Sequence, residues 1–135
     1  MGDLDTLMPI TIEKLGGIFP KPKLSEKLLS KPPFRFIHDC ISNTTAETGF
    51  LEGLFEGAEL DGKGMKDKGD KIAYLEKAIT AICHAKGESI DVRASKIVAG
   101  LEPENTNLLL AALGECAKDK SRDWAGAVAA GLGGG

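Results

Sequence analysis

The chain has 135 residues, is 42% hydrophobic and 27% charged, and carries a formal net charge of -3. That length suits one domain with a sizeable core. The acidic balance excludes bulk attraction to nucleic acid, so any anion-binding role must come from a local patch. No apolar run is long enough to span a bilayer, and the start, MGDLDTLMPIT, is acidic where a secretory signal would be basic. Gly2 with Thr6 loosely fits a myristoylation start, although an ordinary start Met followed by a linker Gly is the plainer reading. Cys40, Cys83 and Cys116 are an odd number, widely spaced and without a CxxC pair. They read as free thiols at helical core positions in a reducing compartment.

A first helix is expected over 5–18, capped by Asp5 or Thr6, with Pro9 in its first turn and Met8, Ile12, Leu15 and Ile18 or Phe19 as its apolar stripe. Gly16-Gly17 and Pro20 end it. Pro20-Lys21-Pro22 should be extended. Ser25 then caps a short turn through Leu29, with Leu24 as a staple residue. Pro32-Pro33 opens the next helix, with proline at its first position. Phe34, Ile37, Cys40, Ile41 and Thr44 recur along it at steps of three and four, and it should end near Gly49.

Phe50, Leu51, Leu54 and Phe55, set among acids, predict a short helix or turn that plugs the core. DGKGMKDKG, residues 61–69, reads as a loop. A long helix follows from Asp70 or slightly earlier to about Lys86, buried through Ile72, Leu75, Ile79, Ile82 and Cys83 and capped by Gly87. A connector over 88–101 holds a short helix from Arg93 to Ala99. Pro103 opens a helix that is apolar nearly all round, expected to be the central one. Ser121 should cap a last helix, Arg122 to Leu132, carrying the single Trp, Trp124. Residues 133–135 are a glycine tail. No alternating β-branched run is long enough for a strand. The expected class is all-α, with four main helices and short connecting ones, in one domain over 1–132.

Charge is segregated along this chain. Glu13 to Arg35 holds six bases, Lys14, Lys21, Lys23, Lys27, Lys31 and Arg35, against Glu13 and Glu26. Phe36 to Gly62 holds Asp39, Glu47, Glu52, Glu56, Glu59 and Asp61 and no Lys or Arg. Lys63 to Lys77 turns basic again, with Lys63, Lys66, Lys68, Lys71 and Lys77. Such runs usually mean a solvated face; a patch for an anionic partner is the alternative.

The residues give no case for catalysis. His38-Asp39-Cys40 and Cys83-His84 match no zinc spacing, and both histidines are expected at a helix surface or core edge. Gly62, Gly64 and Gly69 miss the phosphate-binding fingerprints. Asp61 opens no EF-hand loop, because Lys63 and Met65 stand at its third and fifth positions. Neither a catalytic residue, a metal site nor a cofactor is expected; the chain reads as a binding module.

The run LSEKLLSKPPFRFIHDCI, residues 24–41, resembles the N-terminal calponin-homology domain of an intraflagellar transport complex B subunit, a microtubule-interacting protein associated with a TNF-receptor-associated factor. The likeness continues in Thr48-Gly49-Phe50, in Lys66-Asp67-Lys68 with Lys71-Ile72, and in KIVAGLEPENTN, residues 96–107, covering about Thr11 to Leu132. It implies a divergent single calponin-homology fold around a buried central helix, without enzymatic activity. It also implies tubulin or microtubules as partner, met by a basic surface. Lys27, Lys31, Arg35, Lys66, Lys68 and Lys71 fall within the matching motifs, and Lys21, Lys23 and Lys63 flank them. Pro20 stands where a base is expected, and Gly62 and Gly64 should loosen the second basic loop. A single copy argues against actin, which is met by tandem pairs. The resemblance further implies other complex B subunits as partners, mainly through regions outside this chain, and a place in the cilium or flagellum, basal body and cytoskeleton, with neither nucleic acid nor membrane insertion. A docking module without tubulin contact is the runner-up. An anionic-membrane binder is third and lacks an insertion face.

Overall fold

The computed structural model describes residues 3–133. The start-site reading at Gly2 and the last two residues of the glycine tail lie outside them. Seven α-helices and two short 3₁₀ turns make up the fold, with no strand among the described residues. The four long helices are α1 (Leu4–Leu15), α3 (Phe34–Thr48), α4 (Lys68–Lys86) and α6 (Pro103–Ala117). The short ones are α2 (Glu26–Ser30), α5 (Ala94–Val98) and α7 (Trp124–Gly131).

Helix α6 is central: it packs on α1, α2, α3 and α4, while α7 packs mainly on α4 and reaches α6 through Trp124, whose Nε1 donates to the Cys116 carbonyl at 3.1 Å. Its buried face includes Leu109, Leu110, Leu113 and Cys116, each no more than 1% exposed. Burying each such leucine contributes about 1.5–3 kcal/mol. Leu108 is 39% exposed, so the helix is not covered all round. Gly114 explains how close α1 can come. A Cβ there would overlap the Lys14 carbonyl and stand 2.6 Å from the Leu15 Cα, so only glycine fits this crossing.

Polar bonds fix the same junction. Asn107 is fully buried in α6; its Nδ2 donates to the Leu29 carbonyl at 2.8 Å and to the Pro103 carbonyl at 2.9 Å. The buried Thr11 hydroxyl donates to the Asn107 carbonyl at 3.1 Å. One residue therefore ties both N-terminal helices to the centre.

Helix ends follow local chemistry. Ser25 caps α2 by accepting from the Leu28 N–H at 3.2 Å. Gly49 and Gly87 end α3 and α4 in the left-handed region, at φ 86° and 83°. Pro103 is the first residue of α6. Elsewhere the expected positions shift. Asp3 caps α1 by accepting from the Thr6 N–H, in place of Asp5 or Thr6, and Gly16 ends it at Leu15. Pro33 is the cap of α3 and Phe34 its first residue. Asp123, accepting from the Gly126 N–H, caps α7 in place of Ser121.

Two buried faces are also rotated from the expected ones. In α1, Leu7 and Thr11 join Met8 and Leu15 inside, leaving Ile12 38% exposed. In α4, Tyr74, Ala78, Ala81 and Ala85 lie buried with Leu75 and Ile82, while Ile72, Ile79 and Cys83 are only half-buried. Small residues face the helix neighbours because they permit close approach. Between α3 and α4, Phe50, Leu51 and Leu54 plug the core, as the sequence suggests. Leu51 adopts φ 73° there. That conformation costs about 1–3 kcal/mol, which full burial of its side chain, worth about 1.5–3 kcal/mol, offsets.

Candidate functional site

The first turn of α3 is where the two basic runs meet. No acid lies in that turn, and the helix dipole adds positive potential at its N-terminus. Arg35 points to solvent beside the Gly62–Gly64 3₁₀ turn: its Cδ is 3.1 Å from the place a Cβ on Gly62 would take. Gly62 is thus the seat for the Arg35 stem, and it brings Lys63 next to Arg35. The turn is not loose. Asp61 caps it by accepting from the Lys63 N–H at 2.9 Å, and the buried Met65 anchors the chain just after it. The expected loosening by Gly62 and Gly64 is therefore corrected.

One residue earlier on α3, Phe34 meets the second run directly. The Lys71 ammonium, in the first turn of α4, stands 5.5 Å from the Phe34 ring centroid. Such a cation–π contact is worth about 0.5–1 kcal/mol and holds the charge without neutralising it. Behind Phe34 lies an aromatic stack in which Tyr74 contacts Phe34, His38 and Phe55, with centroids 5.7, 4.9 and 4.2 Å away.

Lys27 and Lys31 sit on and just after α2, exposed, on the outside of the segment whose Leu29 carbonyl Asn107 grips. The Lys31 stem lies against the Gly100 turn, its Cε 3.3 Å from where a Cβ on Gly100 would be. Lys21 and Lys23 are exposed further along; the Lys21 carbonyl accepts from Asn43 Nδ2, which holds it against the middle of α3. Lys66 and Lys68 are exposed between Met65 and the start of α4. Arg35, Lys71 and the turn bearing Lys63 are thus brought together. Lys31 leads into them, and Lys21 is set apart.

Few carboxylates touch the set. Of the nine cations, Arg35 alone has a carboxylate within 4.0 Å among the described residues, Asp39 at 3.8 Å, with both side chains largely in solvent. Exposed pairs of this kind contribute about 0–1 kcal/mol. Elsewhere half of the bases are paired: Lys77 with Glu59 at 2.8 Å, Lys86 with Glu115 and Glu88, Arg93 with Glu102, and Arg122 with Glu115 and Asp119, whereas Lys14, Lys96, Lys118 and Lys120 have no such partner among the described residues.

The groups weighed for chemistry lie apart. His38 is 3% exposed, in the core rather than at a surface or core edge. Its Nε2 donates to the Glu59 carbonyl at 2.8 Å, and its Nδ1 lies 3.4 Å from the Ser42 hydroxyl. His84 is exposed and donates to Asp123 at 3.1 Å. That hydrogen bond, with the Gly126 N–H, holds Asp123 below the usual carboxylate range. Burial pushes the Cys40 thiol up to about 12 and the Cys116 thiol up to about 11, so both stay protonated and unreactive at neutral pH. All three cysteines are free. Among the described residues, no group of three or more His, Cys, Asp or Glu could hold a metal ion, and no helix is long and apolar enough to cross a membrane.

Sequence reasoning missed the Phe34–Lys71 contact, the seat at Gly62 and the grip of Asn107. The last lies inside the 96–107 motif that carried the resemblance, which was the available signal.

Residues 7–119 match the profile described as the microtubule-binding protein MIP-T3 CH-like domain. TRAF3-interacting protein 1 of Danio rerio is 47% identical over 110 residues, 82% of this chain and 18% of that protein. The proteins of that name from Mus musculus and Rattus norvegicus are each 46% identical over the same length, at 18% and 17% of their own lengths. The chain thus spans less than a fifth of the length of these relatives.

Proposed function

The chain belongs to the microtubule-binding protein MIP-T3 CH-like domain family, and on that premise we propose that it is a tubulin-binding adaptor domain of the intraflagellar transport machinery, serving cilium assembly. Its role is to hold, not to catalyse. The single observation that carries this reading is the convergence of Arg35, Lys71 and the turn bearing Lys63 on the first turn of α3, with Arg35 alone of the three having a carboxylate within 4.0 Å among the described residues.

Tubulin is acidic, above all in its disordered tails. One exposed Lys–carboxylate contact is worth about 0.2–1 kcal/mol. Five to eight such contacts approach the roughly 8 kcal/mol of a micromolar complex. Salt weakens such a contact strongly, which suits cargo that is loaded and released. Acids that follow in the chain, from Glu47 to Asp61, disfavour docking of tubulin in the wrong orientation. The role places the protein in the cilium or flagellum, at the basal body and on the cytoskeleton, with other complex B subunits bound mainly through regions outside this chain.

The test is co-sedimentation with microtubules and co-migration with soluble tubulin. The triple variant Lys27→Glu, Lys31→Glu, Arg35→Glu should lose both while its thermal unfolding stays unchanged. Undiminished binding sinks the assigned patch. Retention of a transport-complex subunit that ignores both salt and these substitutions would favour the docking-module reading.

A further inference from the structure

We propose that an acid-rimmed groove along the 49–60 segment docks a basic, amphipathic segment of a partner protein. Three hollows adjoin there. The first, about 310 Å3, has Trp124, Ala125 and Val128 of α7 along one side and Gly49, Leu51 and Glu52 along the other. The second, about 200 Å3, shares Leu51 and Glu52 with the first and is floored by Phe55 and Leu60. The third, about 330 Å3, shares Glu59 with the second and adds Met65, Ala58 and Ala73. Shared walls make the three one continuous furrow.

Its chemistry names its occupant. No Lys or Arg lines any of the three hollows, whereas Glu52, Glu56, Glu59 and Asp70 stand on their rims. Among the described residues only Glu59 of these four is paired, with Lys77. Leu60 is 65% exposed at the centre of the furrow, an apolar side chain without a neighbour to cover it. An occupant must therefore bring apolar side chains for the floors and cations for the rims. An anionic lipid surface meets the first need and fails the second. A basic segment with leucine-like side chains at helical spacing meets both.

This surface is opposite in sign to the tubulin patch, which it borders where Asp70 precedes Lys71. The probe is a synthetic peptide with leucines at helical spacing among lysines and arginines, added to the 135-residue domain. Trp124, the single tryptophan, sits in the first hollow and reports occupancy directly. Saturable binding is expected, with a shift in Trp124 emission. The double variant Glu52→Lys, Asp70→Lys should weaken it by roughly tenfold or more. Leu60→Ser, at an exposed position that cannot disturb the core, should weaken it too. The triple variant that loses microtubules should still bind the peptide. No binding by the unaltered domain, equal binding of a peptide with alanine for leucine, indifference to these substitutions, or burial of Trp124 by self-association each overturns the proposal.

Discussion

The basic end around α3 and the charged end where α4, α6 and α7 come together hold similar side chains in opposite states. At the second, Lys86 and Arg122 share Glu115, and Arg122 also reaches Asp119 and the carbonyls of Ala85 and Lys86. Those bases are only 22–24% exposed. At the first, the bases are exposed except for the half-buried Lys71, and only Arg35 has a carboxylate within reach among the described residues. Charge that is paired and half-buried holds the fold together. Charge that is exposed and unpaired adds little to the fold and remains open to a partner. Position in the sequence does not distinguish the two, because both ends are rich in Lys, Arg, Asp and Glu.

That contrast can be broken in four ways. The strongest is Asn107→Ala, which leaves the Leu29 carbonyl buried without its donor. Destabilisation of about 1–3 kcal/mol is expected in chemical denaturation, with tubulin binding lost only as far as folding is. If binding fell while stability held, the basic end would depend on more than its mounting. Next is Glu115→Ala, which strips two half-buried cations of their shared partner and should cost about 1–2 kcal/mol. The third is Lys27→Glu alone, which should change stability by less than about 0.5 kcal/mol. A cost equal to that of Glu115→Ala would erase the distinction between the two ends.

The smallest effect concerns pH. Asp119 is held low by the Ser121 hydroxyl and N–H and then by Arg122, and Asp123 by His84 and the Gly126 N–H. A depressed folded-state value means stability that is complete above the ordinary carboxylate value of 3.8 and is lost as pH falls below it. Protection of amides at the start of α7, measured relative to their intrinsic exchange rates, should therefore fall below pH 3.8, ahead of protection in α2 and the first turn of α3.

Much of this was legible in the chain, for physical reasons. The all-α class, the ends at Gly49 and Gly87, the Ser25 cap and the start at Pro103 are local, and local chemistry decides them. The buried faces of α1 and α4 were legible only in part, through Met8, Leu15, Leu75 and Ile82, because alanine and threonine give weak signals on a hydropathy pattern. Tyr74, Ala78 and Thr11 go inside because of what packs on them, and that is set by helix crossings such as the one at Gly114. His38 misled for the same reason, since the Glu59 carbonyl that satisfies its Nε2 lies 21 residues away in the chain. Within the candidate site the bases themselves could be read from the sequence. Their shared face could not, because it depends on Gly62 and Phe34 meeting residues from the other run.

The bonds of Asn107 have one more consequence, for the order in which the molecule is made. They reach back 78 residues to Leu29 and 96 residues to Thr11. A ribosome delivers α1 and α2 first, yet neither can be fastened until Asn107 has emerged, and such long-range closures are slow. During synthesis Lys27 of α2 and Lys31 just after it therefore ride on an unanchored chain, and the part of the domain that is written first waits for Asn107 before it is fastened.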